Sequence, residues 1–166
     1  MSAGMHRRAA LVILVLVGGV VPLLHYWFSV GRVLSVTPME ARQLLASSGS
    51  ETLLIDIREP DKFKKFHPES AENWPRKDIH AIDSADEIPE RFLEKTLLLV
   101  CDGGVHSASA TMKLRDQFNV EALHVDGGIQ AWIASSNNGS GGMEASFRAG
   151  SGEIVPVPYK DSPWYE

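Results

Sequence analysis

The run Leu97-Leu98-Leu99-Val100-Cys101-Asp102-Gly103-Gly104-Val105-His106-Ser107 limits the fold more than any other stretch of the chain. Leu97 to Val100 form a short continuous apolar run, as in a strand covered on both faces. Gly103 and Gly104 then permit a tight loop with unusual dihedrals and no side chains in the way. Ser107 to Phe118 reads as a helix. The chain has 1 cysteine, and it stands where the strand ends. A thiol there looks into loop N–H groups and the positive end of a helix dipole. Both favour the thiolate and any anion bound beside it.

The flanking segments repeat the strand-then-helix pattern. Thr37-Pro38-Met39-Glu40 opens a helix, with threonine as N-cap, proline at the first helical position and glutamate three residues after the cap. Ala41, Leu44 and Leu45 can form its apolar face, and Gly49 can end it. Glu51 to Ile57 reads as a strand and Pro60 to Phe66 as a short helix. Ser84 to Glu87 offers a second capping box before a helix over Ile88 to Glu94. Ala122 to Val125 is a further strand, and Ile129 to Ala134 a last helix. Strands alternating with helices predict a mainly parallel α/β sheet, in which ligands sit beyond the carboxyl ends of the strands. Cys101 lies at such an end.

Composition narrows the function classes. The 166 residues suit one domain plus extras, and 44% hydrophobic residues supply a packed core. A formal charge of −5 argues against nucleic acid as a partner, because phosphate binding needs a basic face. One cysteine rules out an intramolecular disulfide and a cysteine-based zinc cluster. The histidines His25, His80 and His124 have no ligand spacing, so no metal is expected.

Both ends depart from the globular pattern. Residues 1–8 are short and basic, with His6, Arg7 and Arg8. Ala9 to Val30 then carries no Asp, Glu, Lys or Arg and is long enough to cross a bilayer core of about 30 Å. His25, Tyr26 and Trp27 near its far end suit the membrane interface. The competing reading is a cleaved secretory signal, but the run is long and no Ala-x-Ala-like site follows. Arg7, Arg8 and the amino terminus outweigh Arg32, so a single-pass anchor would leave the soluble domain on the non-cytoplasmic side. After the domain of 31–135, residues 136–166 form a Gly/Ser-rich linker and a tail. The tail reads as mostly disordered, or alternatively as a strap or docking peptide, with Val155 to Tyr159 extended. Asn138-Gly139-Ser140 fits a glycosylation acceptor, which matters only in a eukaryotic secretory pathway.

Four motifs in order resemble the rhodanese-like sulfurtransferases. The loop from Cys101 resembles that family's active-site loop, in which a cysteine and four residues are commonly followed by arginine. Leu54-Ile55-Asp56-Ile57-Arg58 resembles its strand ending in Asp-x-Arg. His67, Ala71, Asn73 and Pro75 keep its Gly-His-Ile-Pro-Gly-Ala-x-Asn-Ile-Pro segment, while Phe66, Pro68, Glu69, Ser70 and Trp74 depart from it. Gly127-Gly128-Ile129-Gln130-Ala131-Trp132 matches its Gly-Gly-x-x-Ala-Trp helix entry. The resemblance runs from about Val36 to about Ser135. It implies a rhodanese-like α/β domain, here preceded by one transmembrane helix.

The resemblance also implies a chemistry. Cys101 would be the catalytic nucleophile, taking sulfur from a small anion such as thiosulfate as a persulfide and passing it to cyanide or a thiol. Asp102, Gly103, Gly104, Val105, His106 and Ser107 would form the anion loop, supported by Asp56 and Arg58, with no metal or organic cofactor. Asp56 and Arg58 are expected to brace the sheet and loop, and His67 and Asn73 to be structural hydrogen-bonders. Trp132 is expected in the core. Two features weigh against activity. Asp102 beside the thiol opposes its ionisation unless it points into water. His106 stands where the family commonly has arginine, so the fixed cation and forked donor are lost. The alternatives are a catalytically inactive rhodanese-like binding module at a membrane and, less favoured, a phosphatase or arsenate reductase. The last usually needs five residues between cysteine and arginine, and here that place is Ser107.

Overall fold

The computed structural model describes residues 16–22, 34–137, 147–148 and 154–155. The chain divides into two units, Met1–Val33 and Leu34–Glu166. In the first, Leu16–Val20 form a π-helical turn and residues 21–22 continue it as helix. The remainder of the expected span Ala9 to Val30 lies outside the described residues, as do the basic start and the Asn138 triplet. Among the described residues no helix is long and apolar enough to cross a membrane.

The second unit is built on a five-stranded sheet. Its strands are β1 (Ser35–Val36), β2 (Thr52–Asp56), β4 (Ala71–Asn73), β5 (Thr96–Val100) and β6 (Ala122–Val125), with the short β3 (His67–Pro68) lying outside it. They stand in the order β1-β6-β5-β2-β4, every neighbouring pair parallel. Helices cover both faces: α1 (Pro38–Ser48), α2 (Pro60–Lys65), α3 (Arg76–Ala81), α4 (Glu90–Leu93), α5 (Val105–Phe118) and α6 (Gly128–Asn137).

The pleat divides β5 between two cores. Leu97, Leu99 and Cys101 join Ile79, Phe92, Ala110 and Leu114 on the side of α3, α4 and α5. Leu98 and Val100 join Ala41, Ile129 and Trp132 on the side of α1 and α6. Successive residues of a strand point to opposite faces, so burial on both requires the unbroken apolar run. Leu97, Leu98, Leu99 and Val100 are all 0% exposed.

Helix boundaries follow local chemistry, with corrections. Thr37 caps α1 as expected: its hydroxyl accepts from the Glu40 N–H, and the Glu40 carboxylate accepts from the Thr37 N–H at 2.8 Å. Gly49 ends α1 at φ 53°. The second capping box does not form. Ser84 donates instead to the Asp86 carboxylate at 2.5 Å, and residues 85–87 make only a 3₁₀ turn. Pro89 is the reason: it drives Ile88 to an extended ψ of 127°, so helix restarts only at Glu90. The helix expected from Ser107 begins two residues earlier, at Val105, after Gly104 in the left-handed region. The last helix runs past Ala134 through Asn137, so the first residues of the expected linker are helical. There the Ser135 and Ser136 hydroxyls donate to the Trp132 carbonyl and accept from Arg42, which also lies over the Trp132 ring.

The tail is not wholly without structure. β7 (Phe147–Arg148) pairs antiparallel with β3 and with β8 (Ile154–Val155). Arg148 also forms an ion pair with Glu69. The mostly disordered reading therefore gives way, for these residues, to strands laid on the domain.

Candidate functional site

The site is assembled from the carboxyl ends of β2 and β5. These strands are neighbours, and the Ile57 N–H donates to the Val100 carbonyl at 2.9 Å. Cys101 follows directly and is 3% exposed. Its thiol accepts from the Gly104 N–H at 3.2 Å and donates to the Ser107 hydroxyl at 3.6 Å. Ser107, fully buried, donates in turn to the Gly104 carbonyl at 2.8 Å. Helix α5 starts immediately behind, and no side chain caps its first turn. Its dipole and free N–H groups therefore face the loop.

Gly104 and Gly103 are not equivalent. Gly104 has φ 89°, and a Cβ there would meet the Gly127 nitrogen at 2.9 Å. Gly103 has no positive φ, and a Cβ there would have nothing within 4 Å. The expectation of unusual dihedrals holds for Gly104 and is corrected for Gly103.

Two glycines outside the loop hold it in place. At Gly128, φ is 59° and a Cβ would lie 2.2 Å from the Cys101 carbonyl oxygen and 2.8 Å from that of Asp102. That close approach lets the first turn of α6 bind the loop: Ile129 N–H donates to the Cys101 carbonyl at 2.8 Å and Gln130 N–H to that of Asp102 at 3.2 Å. At Gly127 a Cβ would collide with Ala131 at 2.6 Å. The Gly-Gly-x-x-Ala signal is visible in the sequence, but not its role as a clamp on the loop backbone.

Asp56 and Arg58 form a buried ion pair at the end of β2. Asp56 is 0% exposed and Arg58 5%. The Asp56 carboxylate accepts from the Arg58 N–H, Nε and Nη2, the last at 2.7 Å. Arg58 Nη2 also donates to the Phe66 carbonyl, tying the β2 end to the end of α2. Asn73 donates to the Asp56 and Arg58 carbonyls, and the His67 ring nitrogen Nδ1 lies 2.9 Å from the Phe63 carbonyl oxygen. Both are hydrogen-bonders in the frame, and Trp132 is buried in the core.

Asp102 is compensated by neighbouring cations. Its carboxylate is half-exposed and pairs with Lys62 at 2.6 Å and, more distantly, with Arg58 at 3.7 Å. These cations offset the charge that would oppose a thiolate. Sequence reasoning misses Lys62, because no short-range pattern links it to Asp102. His106 is exposed in the first turn of α5, beside Val105 at 77% exposure. Among the described residues no three His, Cys, Asp or Glu side chains form a metal-binding group.

The model of the rhodanese-like domain family matches residues 37–135, which takes in β2, the Cys101 loop and the Gly127-Gly128 clamp. The chain belongs to the rhodanese-like domain family. Over 96 residues it is 38% identical to a protein named thiosulfate sulfurtransferase GlpE from Pseudomonas syringae, covering 57% of this chain and 83% of that one. Over 98 residues it is 33% identical to a probable adenylyltransferase/sulfurtransferase, MoeZ, of Mycobacterium tuberculosis, covering 59% of this chain but only 24% of MoeZ. The rhodanese-like domain thus spans about a quarter of that relative's length. Human single domain sulfurtransferase TSTD1 shares the fold, with TM-score 0.50 at 22% identity over 60% of this chain and 95% of its own.

Proposed function

We propose that this rhodanese-like protein is a sulfurtransferase that carries sulfane sulfur on Cys101. The observation that carries the reading is the placement of the Cys101 sulfur at the carboxyl end of β5, 3.2 Å from the Gly104 nitrogen and facing the uncapped start of α5. The GlpE relative, named a thiosulfate sulfurtransferase, supports thiosulfate as a donor.

The step balances without a cofactor. The Cys101 thiolate attacks the outer sulfur of thiosulfate. The S–S bond breaks, and its electron pair leaves on sulfite. Cys101 is left as a persulfide. An acceptor thiolate or cyanide then attacks the terminal sulfur, and the Cys101 thiolate returns. Once the thiol has lost its proton, the Ser107 hydroxyl can donate to the sulfur besides Gly104 by turning its single proton away from the Gly104 carbonyl. Loop N–H groups are well placed to take developing negative charge.

The second reading is an inactive binding module. The 3% exposure of Cys101 and the absence of a loop arginine favour it. One measurement separates the two. Full-length protein incubated with thiosulfate should gain one sulfur by intact mass, cyanide should remove it, and Cys101→Ser should never gain it. Failure of the wild type with thiosulfate and with other persulfide donors would leave the binding module standing.

The reading includes the membrane. Ala9 to Val30 serves as a single-pass anchor that places the rhodanese-like domain on the non-cytoplasmic side; the run without Asp, Glu, Lys or Arg and the two arginines before it support this. A carboxyl-terminal reporter active only outside the cytoplasm should work. A mature protein lacking those residues would overturn the anchor.

A further inference from the structure

The loop of this site has no permanent cation, yet the proposed donor is a dianion. Three cations around the carboxyl ends of β2 and β5 are already committed. Arg58 is bound to Asp56, Lys62 to Asp102 at 2.6 Å and Lys77 to Glu59 at 3.3 Å. Arg76 is different. It is exposed, and among the described residues its guanidinium forms no ion pair or hydrogen bond.

The backbone links Arg76 to the strand that carries the nucleophile. Its N–H donates to the Ile57 carbonyl at 2.9 Å, and the Ile57 N–H donates to the Val100 carbonyl at 2.9 Å. Arg76 is therefore two hydrogen-bonded steps from the strand that ends in Cys101. At ~4.8 Å per step this is about 10 Å between backbones, a gap that an arginine side chain and a bound oxyanion can bridge together.

The helices point the same way. Arg76 opens α3 as Val105 and His106 open α5, and the two helices pack together. Lys113, two turns into α5, donates to the His80 and Ile82 carbonyls at the carboxyl end of α3 at 2.7 Å. The two N-termini therefore share the edge where the loop lies. Helical side chains lean toward the N-terminus, which for Arg76 is toward that edge.

We propose that Arg76 is the donor-specificity residue of this site, supplying from α3 the fixed positive charge that the Cys101 loop lacks and binding the sulfonate end of an anionic sulfur donor. This rests on the sulfurtransferase reading for its meaning, but its test does not depend on turnover.

Thiosulfate binding to full-length Cys101→Ser is measured by calorimetry, with and without Arg76→Gln or Arg76→Lys. Loss of one charge-assisted hydrogen bond predicts a roughly 10- to 150-fold weaker Kd for Arg76→Gln. Arg76→Lys, which keeps the charge but not the fork, should fall between. In the Cys101 protein, Arg76→Gln should raise KM for thiosulfate and leave KM for an uncharged organic polysulfide unchanged. Equal thiosulfate binding with and without Arg76 overturns the proposal. So does an equal loss with both donors, which would mark Arg76 as structural. Arg76-dependent thiosulfate binding in a wild type that never acquires sulfur would uphold the recognition residue and refute the sulfurtransferase reading.

Discussion

The Lys62 ammonium lies 2.6 Å from the Asp102 carboxylate, although 40 residues separate them in the sequence. This contact places a helix residue from the β2 side against the residue that follows the cysteine. It turns an unfavourable neighbour of the thiol into half of an ion pair.

Removing Lys62 should therefore be felt at Cys101. Lys62→Gln leaves Asp102 less compensated, which disfavours the thiolate. Both partners are about half-exposed, so the effect is that of a surface pair, about 0.2–1 kcal/mol. Alkylation of Cys101 at fixed neutral pH should slow by less than about 5-fold, because the pair's own energy bounds what the sulfur can feel. Adding Asp102→Asn should restore the rate. Unchanged alkylation in Lys62→Gln would show that the pair does not act on the sulfur.

The glycine clamp predicts an asymmetry between two similar substitutions. Gly128→Ala forces a methyl group into the Cys101 and Asp102 carbonyls at a φ of 59°. It should destabilise the fold by more than about 1 kcal/mol and abolish persulfide formation. Gly103→Ala meets no atom within 4 Å and should be tolerated in both assays. Thermal melts and intact mass on the two variants decide the matter. Similar behaviour would refute the clamp.

Replacing His106 with arginine should improve use of thiosulfate. Residue 106 is exposed in the first turn of α5, directly after the Cys101 loop, and the proposed transfer releases sulfite as an anion. A cation there stabilises departing charge more than it stabilises the bound donor. One charge-assisted hydrogen bond contributes about 1.5–3 kcal/mol, or roughly 10- to 150-fold in kcat/KM. The gain should be smaller for a less anionic donor. A folded His106→Arg protein with no gain would mean that residue 106 does not face the substrate.

Stability should decline on the acid side through His80. Partial desolvation, then the charges of Arg76 and Lys113, hold its ring below the ordinary histidine range. Below about pH 6.5 the unfolded chain binds a proton here that the folded chain resists. The contribution is complete above that pH and is lost as pH falls through the lower, folded-state value. His80→Asn should flatten this part of the stability profile in urea titrations, and Arg76→Gln should make it shallower. A steeper acid loss in His80→Asn would contradict the assignment.

What can be read in the sequence is local. Thr37 and Glu40 are three residues apart, and their reciprocal bonds need nothing from the rest of the chain. The apolar run before Cys101 needs only two covered faces to become a central strand. Where a nearby residue competes, local reading fails: Ser84 has the right spacing, but Pro89 excludes the helix it would have capped. The contacts that escape it depend on the assembled sheet. Lys62 meets Asp102, and Gly128 meets the Cys101 carbonyl, only because the loops after β2, β5 and β6 converge at one edge. The pairing of β7 with β3 is similarly non-local, and two-residue strands carry too little pattern to announce a partner.

The alternation along β5 makes the side on which the thiol emerges a question of parity. Leu97, Leu99 and Cys101 share a face because the spacing between them is even. The apolar residues of the strand can exchange for one another while the reactive group stays under α5. Insertion or loss of a single residue ahead of Cys101 would deliver the sulfur to the opposite layer, under α1 and α6, with its composition almost unchanged and its chemistry gone. The count of residues in this strand thus decides the side on which the sulfur emerges, whatever their identity.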